Sequence, residues 1–178
     1  LGDVYKRQCY DNEAYMNTGI QGSSSTPMFA STTTTPAGKR TVRKDLVGIA
    51  MAHDIPYAAT ASISNLPDLR RKVQKAKDTQ GPSLVHVHAP CPTGWRYASS
   101  KTVEVARKAV QTGCWALYEY EDGRTTVNYR PKELKPIEEY ISLQGRFKNM
   151  TEDEKALMSA NTENHFRRLI KRLDDMNA

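Results

Sequence analysis

The chain has 178 residues, 38% of them hydrophobic and 26% charged, which predicts one domain with its own core and leaves no apolar run long enough to cross a membrane. Its three cysteines, odd in number and widely spaced, argue against a disulfide framework and for a reducing, cytoplasmic setting. The net charge of +6 is split among residues 39–44, 70–77 and 167–172, each beside acidic residues on or next to a predicted helix, so solvated helix faces are expected rather than a nucleic-acid surface.

Residues 1–8 are polar and charged where a buried strand is expected to arrive, so this octet reads as a non-native scar and is set aside from the fold. Residues 9–21 are polar and aromatic and pass through Gly19. Nine of the fourteen residues 23–36 are Ser or Thr, which fits either a flexible linker or an ordered site loop. Leu46, Ile49, Ala50 and His53 then recur at helical spacing up to Pro56. A short strand is predicted over 57–61. Asn65 is placed to cap a helix whose inner stripe is Leu66, Leu69, Val73 and Ala76, stopped by Gly81-Pro82.

The clearest strand runs over 83–89, and a loop, Pro90-Cys91-Pro92-Thr93-Gly94-Trp95, follows it. Val103, Ala106, Ala109 and Val110 mark another helix ending at Gly113. Strands over 115–121 and 125–129 flank Asp122-Gly123, a hairpin signal. Thr151 and Glu154 form a capping box for a last helix with the stripe Phe166, Leu169, Ile170 and Leu173. Alternating strands and helices imply an α/β fold with a mostly parallel sheet, covered by helices and closed by a C-terminal hairpin and helix. In such folds ligands sit beyond the carboxyl ends of the strands. The loop 12–21 and the loop holding Cys91 both lie there.

The residues of these loops carry a resemblance. Tyr10-Asp11-Asn12-Glu13-Ala14-Tyr15-Met16-Asn17-Thr18-Gly19-Ile20-Gln21 resembles the second half of the thiamine-diphosphate motif in the beta subunits of the pyruvate:ferredoxin oxidoreductase family. Ala30-Ser31-Thr32-Thr33-Thr34-Thr35-Pro36-Ala37-Gly38-Lys39 and His88-Ala89-Pro90-Cys91-Pro92-Thr93-Gly94-Trp95 resemble two further signatures in the same order. The resemblance implies residues 9–150 as the C-terminal part of a thiamine-diphosphate-binding domain, truncated at the N-terminus, with 151–178 as a helical extension.

For the site, the resemblance implies Mg²⁺ held by the Asn12 side chain and the Ala14 carbonyl, with the metal holding thiamine diphosphate. Asn17 would face the reacting centre as the catalytic residue. Asp11, Tyr15, Thr18 and Gly19 would complete the cofactor-binding run. Cys91 would be one ligand of a [4Fe–4S] cluster, which takes four thiolates. Cys9 and Cys114 match no ligand position, so the other ligands are expected upstream. The family's third magnesium ligand is the Asp of an upstream Gly-Asp-Gly; Gly2-Asp3 lacks the second glycine and is not taken for it.

The implied reaction is oxidation of pyruvate with coenzyme A to acetyl-CoA and CO₂, reversibly, with electrons passing to ferredoxin. The implied partners are alpha, gamma and delta type subunits. Met16-Asn17-Thr18-Gly19 and Pro92-Thr93-Gly94-Trp95 favour pyruvate over another 2-oxoacid. A non-catalytic basic binding module is the alternative outside this class. His53, His86, His88 and His165 read as packing or surface residues, and Glu13 as either a cofactor contact or a solvated loop residue.

Overall fold

The computed structural model describes residues 5–177, which form a five-stranded sheet flanked by helices on both faces. The strands are β1 (Lys6–Asp11), β2 (Tyr57–Ser62), β3 (Ser83–His88), β4 (Tyr118–Glu121) and β5 (Arg124–Val127), in the spatial order β1-β3-β2-β4-β5. β1, β3 and β2 run parallel; β4 and β5 add an antiparallel hairpin to the β2 edge. The helices are α1 (Leu46–Met51), α2 (Leu66–Asp78), α3 (Pro92–Trp95), α4 (Thr102–Gln111), α5 (Glu138–Ile141) and α6 (Glu152–Asp175).

The central strands β2 and β3 are buried almost throughout, as parallel strands covered on both faces must be. Ala59, Ala61, Val85 and Val87 face α2 through Ala76, Leu69 and Val73. Ala58, Leu84, Tyr118 and Tyr120 face α1 and α6 through Val47, Met51, Leu169 and Leu173. Trp95 and Trp115, both essentially inaccessible, centre a third cluster with Val105, Ala109, Tyr140 and Phe147.

Local chemistry sets the element ends. The Asn65 side chain accepts from the Asp68 N–H at 3.2 Å, and Thr151 with Glu154 forms the capping box. Asp122 and Gly123 both have positive φ, the geometry a two-residue hairpin turn needs. The strand expected from Trp115 begins only at Tyr118. There the Thr60 hydroxyl donates to the Ala116 carbonyl at 2.7 Å and accepts from the Tyr118 N–H at 2.9 Å, taking the place of the ladder.

Two expectations change and one open alternative is decided. β1 starts at Lys6, inside the octet set aside from the fold. Lys6, Arg7 and Gln8 are exposed on an edge strand, and an edge strand with open faces needs no apolar residues. Gly2-Asp3 lies outside the described residues. The Ser/Thr-rich segment is an ordered loop: Ser23, Thr26, Thr32 and Thr34 hydroxyls accept backbone N–H bonds at 2.8 to 3.1 Å. Finally, the basic clusters are not simply solvated faces. Lys72 is fully buried, with its ammonium 2.7 Å from Asp68 and 2.8 Å from the Thr60 carbonyl.

Arg71 likewise reaches Glu119 at 2.7 Å, and Glu119 also accepts from Tyr57 at 2.9 Å and Asn128 at 3.0 Å. Burial alone would raise the Glu119 carboxyl, but these bonds win and hold it down to about 2. A carboxyl depressed by folding adds stability above its ordinary value of 4.5 and loses it as pH falls toward about 2. Glu119→Gln is therefore expected to remove about 2 kcal/mol of stability at pH 7, after discounting for the exposed Arg71 partner, and almost none at pH 2. Urea titrations at the two pH values measure the difference; an equal loss at both would assign the effect to packing instead.

Candidate cofactor and cluster site

β1 and β3 are parallel neighbours, so the loops leaving their carboxyl ends emerge side by side. Two bonds join them: Ala89 N–H donates to the Asp11 carbonyl at 3.0 Å, and Trp95 Nε1 donates to the Asn12 carbonyl at 2.8 Å. Trp95 is placed by α3, which Pro92 starts and Arg96 ends in the left-handed conformation. Met16 from the first loop packs beside Gly94, where an added Cβ would collide with its sulfur.

The run Asp11-Asn12-Glu13-Ala14 alternates in direction. Asp11 and Glu13 are buried, whereas Asn12 and Ala14 are half-buried. Asp11 is fully engaged: one carboxylate oxygen accepts the Glu13 N–H at 2.8 Å, and the other meets Ser25 Oγ and, at 2.7 Å, His86 Nε2. Burial and the Glu13 charge push its carboxyl up, but the bonds from His86 and Ser25 prevail and lower it.

Glu13 has φ of 61°, a left-handed backbone that costs a non-glycine residue about 1–3 kcal/mol. Its carboxylate lies 2.6 Å from Arg146 and 3.1 Å from Arg43, and its carbonyl accepts from Thr26 Oγ1 at 2.5 Å. Full burial would raise this carboxyl; Arg146, His88 and Arg43 together hold it far below the usual range. His88 Nε2 stands 3.7 Å away, too far for a hydrogen bond, and burial keeps its imidazole below its ordinary value. His86 and His88 also contact the Trp115 ring, with centroids 4.9 and 4.7 Å apart. Arg43 lies 4.4 Å above the same ring.

Beyond Ala14 the chain makes a tight excursion. Tyr15 and Gln21 exchange backbone bonds at 2.9 and 3.2 Å. Thr18 Oγ1 donates to Gln21 at 2.6 Å, and Thr33 Oγ1 donates to the Gly19 carbonyl at 2.8 Å. Ile20 has φ of 63°, an outlier for a β-branched residue. Tyr15, Asn17, Thr18 and Gly19 are exposed on this turn. Asn17 therefore sits on an open surface, apart from the buried carboxylates.

Magnesium takes oxygen ligands in an octahedron. Among the described residues, the Ala14 carbonyl has no hydrogen-bond donor, and the Asn12 amide oxygen meets only the Ala14 N–H at 3.4 Å. These two oxygens are therefore free to accept a cation. The carboxylates of Asp11 and Glu13 are committed to the core and are not. Cys91 is half-buried at the start of α3, among residues packed around Trp95. No group of three His, Cys, Asp or Glu side chains that could hold a metal occurs among the described residues. Cys114 is half-buried, and desolvation pushes its thiol up to about 11.

A cavity of about 340 Å³ lies on the inner side of the loop, beneath α6. Glu13, His86, Arg43 and Cys114 line it, but Asn12, Ala14, Asn17 and Cys91 do not. Sequence reasoning missed Arg43, Arg146, Ser25 and His86 as parts of this region. Only Gly145 before Arg146, in the run Gln144-Gly145-Arg146-Phe147, offered a hint of a close backbone approach.

Residues 6–87 match the family described as thiamine pyrophosphate enzyme, C-terminal TPP binding domain. The match begins with β1 and ends in β3. Pyruvate synthase subunit PorB of Methanothermobacter thermautotrophicus is 56% identical over 153 residues, covering 83% of this chain and 53% of that protein. Ketoisovalerate oxidoreductase subunit VorB of Pyrococcus abyssi is 55% identical over 152 residues, covering 82% and 49%. A solved 2-oxoglutarate:ferredoxin oxidoreductase from Magnetococcus marinus resembles 48% of this chain, over 30% of its own, at 23% identity and a TM-score of 0.46. The chain spans about half the length of the curated relatives it matches. The chain is thus similar to the C-terminal TPP binding domain of thiamine pyrophosphate enzymes over residues 6–87, and to PorB and VorB oxidoreductase subunits over most of its length.

Proposed function

We propose that this chain supplies the metal-and-diphosphate side of the cofactor site in a cytoplasmic pyruvate:ferredoxin oxidoreductase. The assembled enzyme would contain further subunits of alpha, gamma and delta type. It would convert pyruvate and coenzyme A to acetyl-CoA and CO₂, passing the electron pair to ferredoxin, and would run in reverse. The observation that carries this reading is the inward turn of Asp11 and Glu13. It leaves the oxygens of Asn12 and Ala14 unclaimed beside the Cys91 loop.

When bound, thiamine diphosphate supplies the carbanion-stabilising chemistry. Asn12 and Ala14 would hold Mg²⁺ and so fix the diphosphate. Thr18 and Gly19 shape the turn along the cofactor, and Asp11 acts from behind by bonding the Glu13 N–H. Tyr15 and Asn17 face outward, and Asn17 is assigned the position beside the reacting centre and the substrate carboxylate. Cys91 is assigned one thiolate of a [4Fe–4S] cluster whose other ligands lie outside the described residues. A basic binding module is disfavoured because Arg40, Arg43, Arg71, Arg167 and Arg172 are engaged in ion pairs within the chain.

A second reading within the family takes a branched 2-oxoacid, because the VorB relatives are nearly as similar as the PorB ones. Acyl-CoA formation by the complete complex separates the two. Pyruvate is expected to exceed 3-methyl-2-oxobutanoate in kcat/KM by about tenfold or more, the discrimination that added methyl groups typically produce in a fitted pocket. The reverse order would assign the branched substrate.

A further inference from the structure

Arg146 reaches the cofactor loop from 133 residues downstream. It sits just after α5, in a 3-10 turn, and is 3% exposed. Gly145 makes its approach possible. The Gly145 N–H donates to the Arg96 carbonyl at 3.1 Å, and a Cβ on Gly145 would stand 2.8 Å from the Arg96 Cβ. This close contact brings the turn against α3, beneath Trp95.

The guanidinium is held from several directions. Its Nε donates to Gln144 at 2.8 Å, and one terminal nitrogen lies 3.2 Å from the Tyr140 hydroxyl. Its carbon lies 3.6 Å from the Trp95 ring centroid, close enough to stack. The same terminal nitrogen donates to Glu13 at 2.6 Å. Arg146 thus touches the two groups that hold the loop: Glu13, which lies between Asn12 and Ala14, and Trp95, which bonds the Asn12 carbonyl.

We propose that Arg146 is a positioning residue for the cofactor metal: by gripping Glu13 and Trp95 together, it fixes the strained loop that leaves the Asn12 and Ala14 oxygens free for the ion. This rests on the metal role proposed above. Glu13 is accordingly an anchor and not a ligand, despite its place in an acidic motif. Lysine cannot replace Arg146 fully, since it keeps the charge but loses the planar stack and the fork of donors.

The test uses the complete oxidoreductase complex, stripped of cofactor, with thiamine diphosphate binding measured by calorimetry across a Mg²⁺ series. Arg146→Gln is expected to weaken the Mg²⁺ affinity by about 10–100-fold, the usual cost of losing an outer support to a metal site. Arg146→Lys should fall between, and Glu13→Gln should match Arg146→Gln. The double variant should be no worse than either single one, because both remove the same contact. If Arg146→Gln does not assemble, Arg146→Lys and Glu13→Gln carry the test. Lowered melting temperatures with Mg²⁺ affinity unchanged would overturn the inference and leave Arg146 merely structural. Asn12→Ala separates the two levels: weakened binding there with unchanged binding in Arg146→Gln sinks only the positioning role, whereas unchanged binding in Asn12→Ala sinks the metal assignment itself.

Discussion

Asn12→Ala in the complete complex is expected to weaken thiamine diphosphate binding on the order of 100-fold at limiting Mg²⁺, at least as much as the loss of an outer support. The defect should shrink as Mg²⁺ is raised. The fold should hardly notice. The Asn12 side chain has only a 3.4 Å contact with the Ala14 N–H, too long to contribute much. The bond from Trp95 reaches the main-chain carbonyl, which alanine keeps. A half-buried side chain with no core contact of note costs about 0.5 kcal/mol when truncated. Cofactor affinity and stability are thus expected to separate. A variant that loses both equally would place Asn12 in the scaffold.

That separation follows from how the motif divides its labour. Two of its residues are acidic, and acidic residues invite a ligand reading. Here both carboxylates are committed to protein groups: Asp11 to Ser25, His86 and a backbone N–H, and Glu13 to Arg146 and Arg43. The neutral oxygens are the ones left free. A buried carboxylate needs paired charges and full hydrogen bonding to be tolerated. Those same bonds make it a firm anchor for a loop that carries Glu13 and Ile20 at positive φ.

Much of the fold could be read from local signals, because those signals act over a few residues. Asn65, Thr151 with Glu154, and Asp122-Gly123 each determine a cap or turn by their own side chain or backbone. The positions of the two loops followed from strand ends. What local patterns could not show was anything made by distant partners. Lys72 at zero exposure reads like any helix-surface lysine until Asp68 and the Thr60 carbonyl are seen around it. Residues 23–36 have the composition of a linker, and only the geometry shows their hydroxyls serving as backbone acceptors. β4 lost its first residues to a side chain on another strand. His86 looked like packing because Asp11, its partner, lies 75 residues away.

The cysteines admit the sharpest contrast. Cys91→Ser in the complete complex is expected to reduce cluster iron, and the associated paramagnetic signal after reduction, to about a tenth or less, because a [4Fe–4S] cluster needs all four thiolates. Serine is nearly the same size, and Cys91 is only half-buried, so its backbone between Pro90 and Pro92 should hold. Cys114→Ser is the control. That residue is half-buried too, but desolvation of its thiol keeps it protonated, with its value pushed up to about 11. It behaves as a small apolar residue, so a hydroxyl there should cost about 1–2 kcal/mol of stability and no iron. Cys9 on β1 serves as a second control, since burial and the neighbouring Asp11 charge also raise its thiol. Iron analysis of the three variants discriminates. Equal iron loss in all, or full iron in Cys91→Ser, would remove Cys91 from the ligand set and leave its loop a packing element beside Met16 and Trp95.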